Sequence, residues 1–141
     1  MQGRMRGERA LVTGSTSGIG RAIALEFAAQ GAAVVVHGRD PERGAAVVAA
    51  ARDAGGDAHF LAADLADLAA AERLVAAAAG RLGGLTVLVN NAVGVSAGRD
   101  GPVGEVTTEY WELALRINLT APMVLCRPAL PHRLPAGRGA T

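Results

Sequence analysis

Short apolar runs of strand length alternate along this chain with longer Ala-rich stretches in which apolar residues recur every three or four positions. The short runs predict β-strands, and the longer stretches predict α-helices that each bury one face. Strands are predicted at residues 9–13, 33–37, 58–62 and 85–90, and helices at residues 18–30, 41–54, 67–80 and from about 107 onward. This alternation is typical of βαβ units and a parallel sheet.

Proline and small polar residues mark where these elements begin and end. Pro41 suits the first turn of the second helix, and Asp67 and Thr107 stand where helix N-caps are expected. Residues 94–106 are glycine-rich and polar, which predicts a loop. Residues 131–141 contain two prolines and two glycines without periodicity, so we expect no further element there.

Composition and length favour one α/β domain. The 141 residues are 50% hydrophobic but only 3% aromatic, so the core must consist mainly of Ala, Val and Leu, as suits a parallel sheet covered by helices. No internal repeat or linker-like segment divides the chain. We therefore expect residues 1–141 to form a single doubly wound parallel sheet of the Rossmann type, ending after a fourth strand and its following helix.

Charge and residue content disfavour several classes of protein. A net charge of +1 with scattered arginines argues against nucleic-acid binding, and no apolar run of about 18 residues could span a membrane. The N-terminus lacks the apolar region of a secretion signal, Cys126 has no second cysteine to pair with, and no metal site is expected. We expect a cytoplasmic protein. All 14 basic residues are arginine, so chemistry that requires lysine is absent.

The segment from Leu11 to Gly20 joins the first strand to a helix through three spaced glycines. Gly14 permits a sharp turn, while Gly18 and Gly20 remove side chains where the backbone approaches a pyrophosphate and where the helix packs on the strand. A pyrophosphate would lie over the helix N-terminus, whose N–H groups and dipole favour negative charge. Glycine-rich turns are common, but the flanking strand and helix make this one a candidate dinucleotide site.

Four motifs together resemble the N-terminal half of the classical short-chain dehydrogenases/reductases. They are Thr13-Gly14-x-x-x-Gly18-x-Gly20, Asp64-Leu65, Asn90-Asn91-Ala92 and Asn118, in the order and spacing of that family. The resemblance implies hydride transfer between a nicotinamide cofactor and an alcohol or ketone. It also implies cofactor-binding roles for Gly14, Ser15, Ser17, Gly18, Ile19, Gly20, Arg39, Asp64, Leu65, Asn90 and Ala92.

The resemblance gives four polar residues specific roles. Asp64 would accept a hydrogen bond from the adenine amino group, unless it is a helix N-cap or a solvated acid. Asn90 and Asn91 would fix backbone turns and border the ribose. Asn118 would interrupt its helix and hold a water molecule of a proton relay. Otherwise Asn118 is a satisfied polar residue at a helix interface, because an unpaired amide among apolar neighbours is unfavourable.

The end of the second strand bears on the choice of cofactor. NAD-selective members of the family present an acidic residue where Gly38 stands here. The guanidinium of Arg39 could form two hydrogen bonds with a 2′-phosphate, and Ser15 could add a hydroxyl contact. We therefore expect NADP rather than NAD, unless Arg39 is a surface cation paired with Asp40 or Glu42.

Two departures from the family pattern limit the expected chemistry. Val93 precedes Gly94 where the family has glycine directly after Asn-Asn-Ala. The catalytic Ser and Tyr-x-x-x-Lys of the family are absent, since Tyr110 is the only tyrosine and Ala114 stands where its lysine would be. We expect the cofactor-binding half of an NADP-dependent oxidoreductase, inactive alone. The alternatives are a non-catalytic nucleotide-binding or scaffolding module and a structural subunit that docks on a longer relative.

The remaining features concern isolated histidines and apolar surface. His37, His59 and His132 have no partner nearby in sequence, so we interpret them as surface or core residues rather than as bases or ligands. Residues 85–90 would form an apolar sheet edge, and the helix over residues 111–125 is apolar on nearly every side. Because such edges pair or aggregate, we expect a homo-oligomer.

Overall fold

The structure, a computed structural model, describes residues 3–94 and 101–133. Strands and helices alternate through the first 89 residues, and helical segments follow. In chain order the elements are β1 (Arg9–Val12), α1 (Gly18–Ala29), β2 (Ala33–Gly38), α2 (Pro41–Asp53), β3 (Asp57–Ala62), α3 (Leu68–Leu82), β4 (Val87–Val89), a 3₁₀ turn (Val103–Glu105), α4 (Thr108–Leu115), a π-helical turn (Arg116–Thr120) and α5 (Ala121–Arg133). The predicted strands and helix starts are confirmed to within two residues.

The four strands form one parallel sheet in the order β3-β2-β1-β4. The chain starts in the middle of the sheet, moves outward through β2 and β3, and then crosses to the other side of β1. The carboxyl ends of β1 and β4 therefore flank the point where the strand order reverses, which is where ligands bind in doubly wound α/β folds. The expected Rossmann-type parallel sheet is confirmed.

Apolar layers cover both faces of the sheet because successive side chains of a strand point to opposite faces. Leu11 and Val35 face a layer with Leu74 and Val75 of α3 and Leu125 of α5, all of them almost completely buried. The opposite face packs against α1 and α2 through Ala10, Val12, Val34, Val36, Ala24, Ala28, Val47 and Ala51. The core is thus built from Ala, Val and Leu, as the composition predicts.

The N-caps hold the helices at the positions that the sequence predicts. The Asp67 carboxylate accepts hydrogen bonds from the backbone N–H groups of the first turn of α3, and the Thr107 hydroxyl accepts one from Tyr110 N–H at 3.2 Å. Asp40, for which no capping role is predicted, caps α2 in the same way. The predicted caps Asp67 and Thr107 are therefore confirmed.

The last helical region is longer and less regular than the sequence predicts. The π-helical turn divides it into α4 and α5, and α5 continues through Pro128 and Pro131 to Arg133. The expectation of no element after residue 130 is therefore wrong for residues 131–133, while residues 134–141 lie outside the described part. Packing of α5 against α3, with Ala129 fully buried, outweighs the hydrogen bonds that proline cannot donate.

Candidate functional site

A cleft of about 790 Å³ opens at the carboxyl ends of the strands. It is lined by the loop between β1 and α1, the end of β2, the segment after β3, the segment after β4 and one side of α4. The predicted site residues that line it are Gly14, Ser17, Ile19, Arg39, Asp64, Leu65 and Ala92. One cleft therefore joins residues from four loops that are far apart in sequence.

The glycines of the first loop are required by close backbone contacts. Gly14 has φ +63°, and a Cβ atom there would lie 2.7 Å from the Ala92 Cα. At Gly20 a Cβ atom would collide with the Gly14 carbonyl group and the Asn91 amide. Gly18 also has a positive φ, +55°, which L side chains rarely adopt. Glycine at positions 14 and 20 therefore lets the loop and α1 approach the segment after β4, and glycine at position 18 permits the backbone conformation at the start of α1.

Asn91 and Thr13 fasten the glycine loop to the end of β4. The Asn91 side-chain amide donates to the carbonyl oxygens of Thr13 at 3.0 Å and Gly14 at 3.1 Å. The Thr13 hydroxyl donates to the Val89 carbonyl at 3.2 Å and accepts from the N–H groups of Asn91 and Ala92, each at 3.1 Å. This geometry is the turn-fixing arrangement suggested for Asn91.

Ser15 and His37 form a buried network behind the same loop. Ser15 is completely buried, and its hydroxyl donates to the Val12 carbonyl at 2.6 Å and accepts from His37 N–H at 2.9 Å. The expected hydroxyl contact from Ser15 to a cofactor is therefore not supported, because this hydroxyl faces the interior. The His37 side chain contacts Gly14 and Ala63 on either side.

The N-terminus of α1 opens into the cleft. Ser17 is the N-cap residue with extended backbone, and within the described part of the chain its side chain makes no capping hydrogen bond. Ser17, Gly18 and Ile19 are exposed. The first N–H groups of a helix are orphan donors at the positive end of its dipole. The geometry is suited to an anion such as a pyrophosphate.

Asp64 and Leu65 follow β3 at the edge of the cleft. Asp64 is exposed, and its Oδ1 accepts from Ala66 N–H at 2.9 Å, which closes a local turn. The helix-capping alternative for Asp64 is excluded, because Asp67 caps α3. The Leu65 side chain is buried in the core and fixes this segment against α3.

Two arginines and one aspartate lie at and just after the end of β2. Arg39 and Arg43 both line the cleft, and Arg39 is exposed. Asp40 pairs with Arg43, with Nε and Oδ2 3.4 Å apart, and caps α2. A Cβ atom at Gly38 would lie 3.0 Å from the Thr16 hydroxyl and closer still to its methyl group. An acidic side chain at position 38 would therefore displace Thr16.

Asn118 lies in the π-helical turn, so the helix is interrupted where the resemblance implies it. Its Oδ1 accepts from Gly94 N–H at 3.0 Å, and a Cβ atom at Gly94 would collide with Ile117. Asn118 is exposed rather than enclosed by apolar neighbours. The Asn90 side-chain amide instead faces α5 and donates to the Cys126 sulfur at 3.5 Å. Asn118 therefore supports the loop after β4 in this structure.

Sequence reasoning missed the structural part that His37 plays in this site. His37 is only 3% exposed and follows three buried valines. A polar residue at the carboxyl end of an otherwise apolar parallel strand was the available signal, since such strand ends border ligand sites. Its lack of a partner nearby in sequence concealed the contacts with residues 23 and 26 positions away.

Comparison with known proteins identifies the family. The family model described as short chain dehydrogenase matches residues 8–140. This chain belongs to the short-chain dehydrogenase family. It is 41% identical over 137 residues to a 3beta-hydroxysteroid dehydrogenase of Mediterraneibacter gnavus, an alignment that covers 97% of this chain and 49% of that protein.

Solved structures of family members are similar to the fold described above. A short chain dehydrogenase from Burkholderia cenocepacia in complex with NADP has a TM-score of 0.85 at 39% identity, covering 92% of this chain and 52% of that one. A metagenomic short-chain oxidoreductase in complex with NADP has a TM-score of 0.88 at 36% identity, covering 96% and 59%. This family member thus spans about half the length of the relatives it matches.

The length and hydropathy of the described helices bear on whether the chain crosses a membrane. Among residues 3–94 and 101–133, no helix is long and apolar enough to cross a lipid bilayer.

Proposed function

We propose that residues 1–141 form one dinucleotide-binding unit that supplies the NADP(H) site of a cytoplasmic short-chain oxidoreductase acting on an alcohol or ketone. The observation that carries the proposal is the single cleft that joins the α1 N-terminus, Asp64 and Arg39. The glycines fit this use, because a Cβ atom at Gly14 or Gly20 would collide with the segment after β4 or with the loop itself and would displace the α1 N-terminus, over which a pyrophosphate would lie. The NADP complexes of two similar family members support this choice of ligand.

Each part of the cleft would hold a different part of the cofactor. The N–H groups around Gly18 and Ile19 would bind the pyrophosphate, Asp64 with Leu65 would border the adenine, and Arg39 would meet a 2′-phosphate. Ala92 and Gly94, whose N–H donates to Asn118, would lie toward the nicotinamide. When bound, NADP(H) would supply or accept the hydride. The chain itself would bind and orient the dinucleotide.

The preference for NADP over NAD follows from the residues at the end of β2. Residue 38 is glycine, so no carboxylate stands there to bind a ribose 2′-hydroxyl or to repel a phosphate, and Thr16 fills the space next to it. Asp40 is occupied by Arg43 and by the first turn of α2. Within residues 3–94 and 101–133, Arg39 forms no ion pair with Asp40 or Glu42, the two partners of the alternative interpretation, and it lines the cleft.

Arg39→Ala is expected to remove the preference for NADPH. Hydrogen bonds to charged groups contribute roughly 1.5–3 kcal/mol, so the affinity for NADPH should fall about 10- to 150-fold while that for NADH changes little. Calorimetric titration of both cofactors measures the ratio. Arg73→Ala, an exposed arginine on α3, is the matched control and should leave the ratio unchanged. Equal affinities of the wild-type protein for the two cofactors would contradict the proposal.

A non-catalytic role for this polypeptide alone is the second candidate. It is favoured by one observation, which is that the sequence contains neither lysine nor a Tyr-x-x-x-Lys pair. The chain would then bind the dinucleotide as a scaffolding or regulatory module, or dock on a longer relative. Cofactor binding is common to both candidates, whereas turnover separates them.

We also propose that the chain forms a homo-oligomer. Trp111, Leu119 and Met123 are 57%, 66% and 53% exposed along α4, the π-helical turn and α5, and β4 lies at the edge of the sheet. Burial of this apolar surface is favourable by roughly 25 cal/mol per Å². Light scattering at high micromolar concentration should show a dimer or larger species, and a monodisperse monomer would count against it.

A further inference from the structure

His37 lies between the two loops that would bind opposite ends of the ADP part of the cofactor. His37 is 3% exposed at the end of β2, and it also borders the cleft. Gly14 N–H donates to Nδ1 at 3.1 Å, and Nε2 is 3.1 Å from the Ala63 carbonyl oxygen. Gly14 belongs to the glycine loop, and Ala63 directly precedes Asp64. One imidazole therefore joins the segments on both sides of β2.

These contacts define the protonation state of the ring. Nδ1 accepts a hydrogen bond, so it carries no proton, and Nε2 donates to the Ala63 carbonyl as the neutral tautomer. Burial lowers the pKa of His37 below 6.5, while the hydrogen bond to Ala63 and the Asp64 carboxylate act in the opposite direction. The facing glycine loop contributes the uncharged Gly14 and Ser15, and Arg39 follows two residues later in the cleft. A second ring proton would point at the Gly14 N–H group.

The same contacts decide which N–H groups remain for a pyrophosphate. Gly14 N–H is bonded to the His37 ring, and Ser15 N–H is bonded to the His37 carbonyl oxygen at 2.8 Å. The first two N–H groups of the loop are thus directed away from a ligand. A pyrophosphate must be bound by later donors around Gly18 and Ile19 at the start of α1.

We propose that His37 is a positioning residue of the dinucleotide site. Its neutral ring sets the spacing between the glycine loop, which binds the pyrophosphate, and the segment after β3, which binds the adenine. The inference rests on the proposed function, because it presumes that the cleft binds a dinucleotide. It adds a residue whose two ring nitrogens both bond to backbone groups and which would act by fixing how far apart the two binding segments lie.

Two conservative variants separate the two hydrogen bonds. In His37→Asn the side-chain oxygen can occupy the place of Nδ1 and accept from Gly14, whereas in His37→Gln the amide nitrogen can occupy the place of Nε2 and donate to Ala63. Each variant keeps one bond and loses the other. We expect each to weaken NADPH binding by roughly 5- to 50-fold, and His37→Ala to weaken it more. His59→Asn is the matched control, because His59 lies on neighbouring β3 and its Nε2 is 3.2 Å from Asp57 Oδ1, a partner two residues away that was not predicted from the sequence.

The experiment is calorimetric titration with NADPH at about pH 8 and at the lowest pH at which the protein remains folded, because burial lowers the pKa of His37 from its ordinary value. The 2′-phosphate titrates in the same range, but that contribution is common to all variants and cancels in the comparison. The wild-type and His59→Asn proteins should lose more affinity at low pH than either His37 variant. Thermal unfolding at both pH values confirms that each variant is folded.

The outcomes distinguish the two proposals. Wild-type protein that binds neither NADPH nor NADH overturns the proposed function and the positioning role with it. Wild-type binding together with His37→Asn and His37→Gln affinities within about twofold of it overturns the positioning role alone. Weakened variants whose pH profile matches that of the wild type also overturn it, since they would show only a structural contribution of the side chain.

Discussion

Replacement of Gly20 by alanine is expected to abolish dinucleotide binding and to lower the free energy of unfolding by about 1–3 kcal/mol. The added methyl group would collide with the Gly14 carbonyl oxygen and the Asn91 amide, and it would lie 3.0 Å from the Gly14 carbonyl carbon. These atoms are held by hydrogen bonds and cannot move independently. Relief of the collision must push α1 away from the glycine loop, which displaces the N–H groups that would bind a pyrophosphate.

Gly80→Ala is the matched control for this substitution. Gly80 lies within α3, and nothing lies within 4 Å of a Cβ atom placed there. The same chemical change should therefore stabilise the protein by about 0.4–1 kcal/mol and leave cofactor affinity unchanged. Urea unfolding and calorimetric titration with NADPH measure both effects. Wild-type affinity in a folded Gly20→Ala protein would show that this loop does not bind the dinucleotide.

The layered fold was predictable because local and long-range signals agree. Val34, Val35 and Val36 are β-branched and apolar, and they lie between two segments with helical periodicity. All three are buried in β2. Such agreement across levels is what allows a sequence to specify a fold. At the end of α5 the local and long-range signals disagree, and the prediction that the helix ends before Pro131 is wrong. The prolines favour termination, but packing against α3 continues the helix.

The candidate site was predictable at positions where the backbone conformation or a close contact restricts the residue type. Gly14 and Gly18 adopt positive φ, and Gly20 has no room for a side chain, so glycine spacing reveals the loop. The partners of side-chain hydrogen bonds restrict the residue type less, so they are harder to predict. Ser15 was expected to reach a cofactor because it lies in the loop, but the direction of its hydroxyl depends on β2, which is distant in sequence. The sequence could not specify that direction.

The contacts of His37 could not be predicted for the same reason. Both of its ring nitrogens bond to backbone groups, Gly14 N–H and the Ala63 carbonyl, and every residue except proline offers both kinds of group. Only the three-dimensional arrangement of β1, β2 and β3 specifies which of them a ring can reach. A polar residue ending an apolar strand therefore indicates that partners exist without indicating which they are.

The purified 141-residue polypeptide is expected to bind NADPH without oxidoreductase turnover. Reduction of a ketone requires a proton donor for the developing alkoxide, and general acid–base catalysis typically contributes about 10²–10⁴ in rate. Tyr110 is the only tyrosine, residue 114 is alanine, and the chain has no lysine to lower the pKa of a phenol. Asn118 accepts from Gly94 N–H and is not itself an acid. Arginine remains protonated at neutral pH and cannot shuttle a proton.

The test follows NADPH absorbance against a panel of ketones and aldehydes, with protein whose mass and cofactor binding have been verified. Gly20→Ala serves as the control, because turnover that persists in a variant unable to bind cofactor must come from a contaminating enzyme. Turnover that scales with the wild-type chain and is lost in both Gly20→Ala and Asn118→Ala would contradict the prediction. It would mean that a proton reaches the substrate through the loop that Asn118 holds, since no other part of the chain offers an equivalent of the family's tyrosine and lysine.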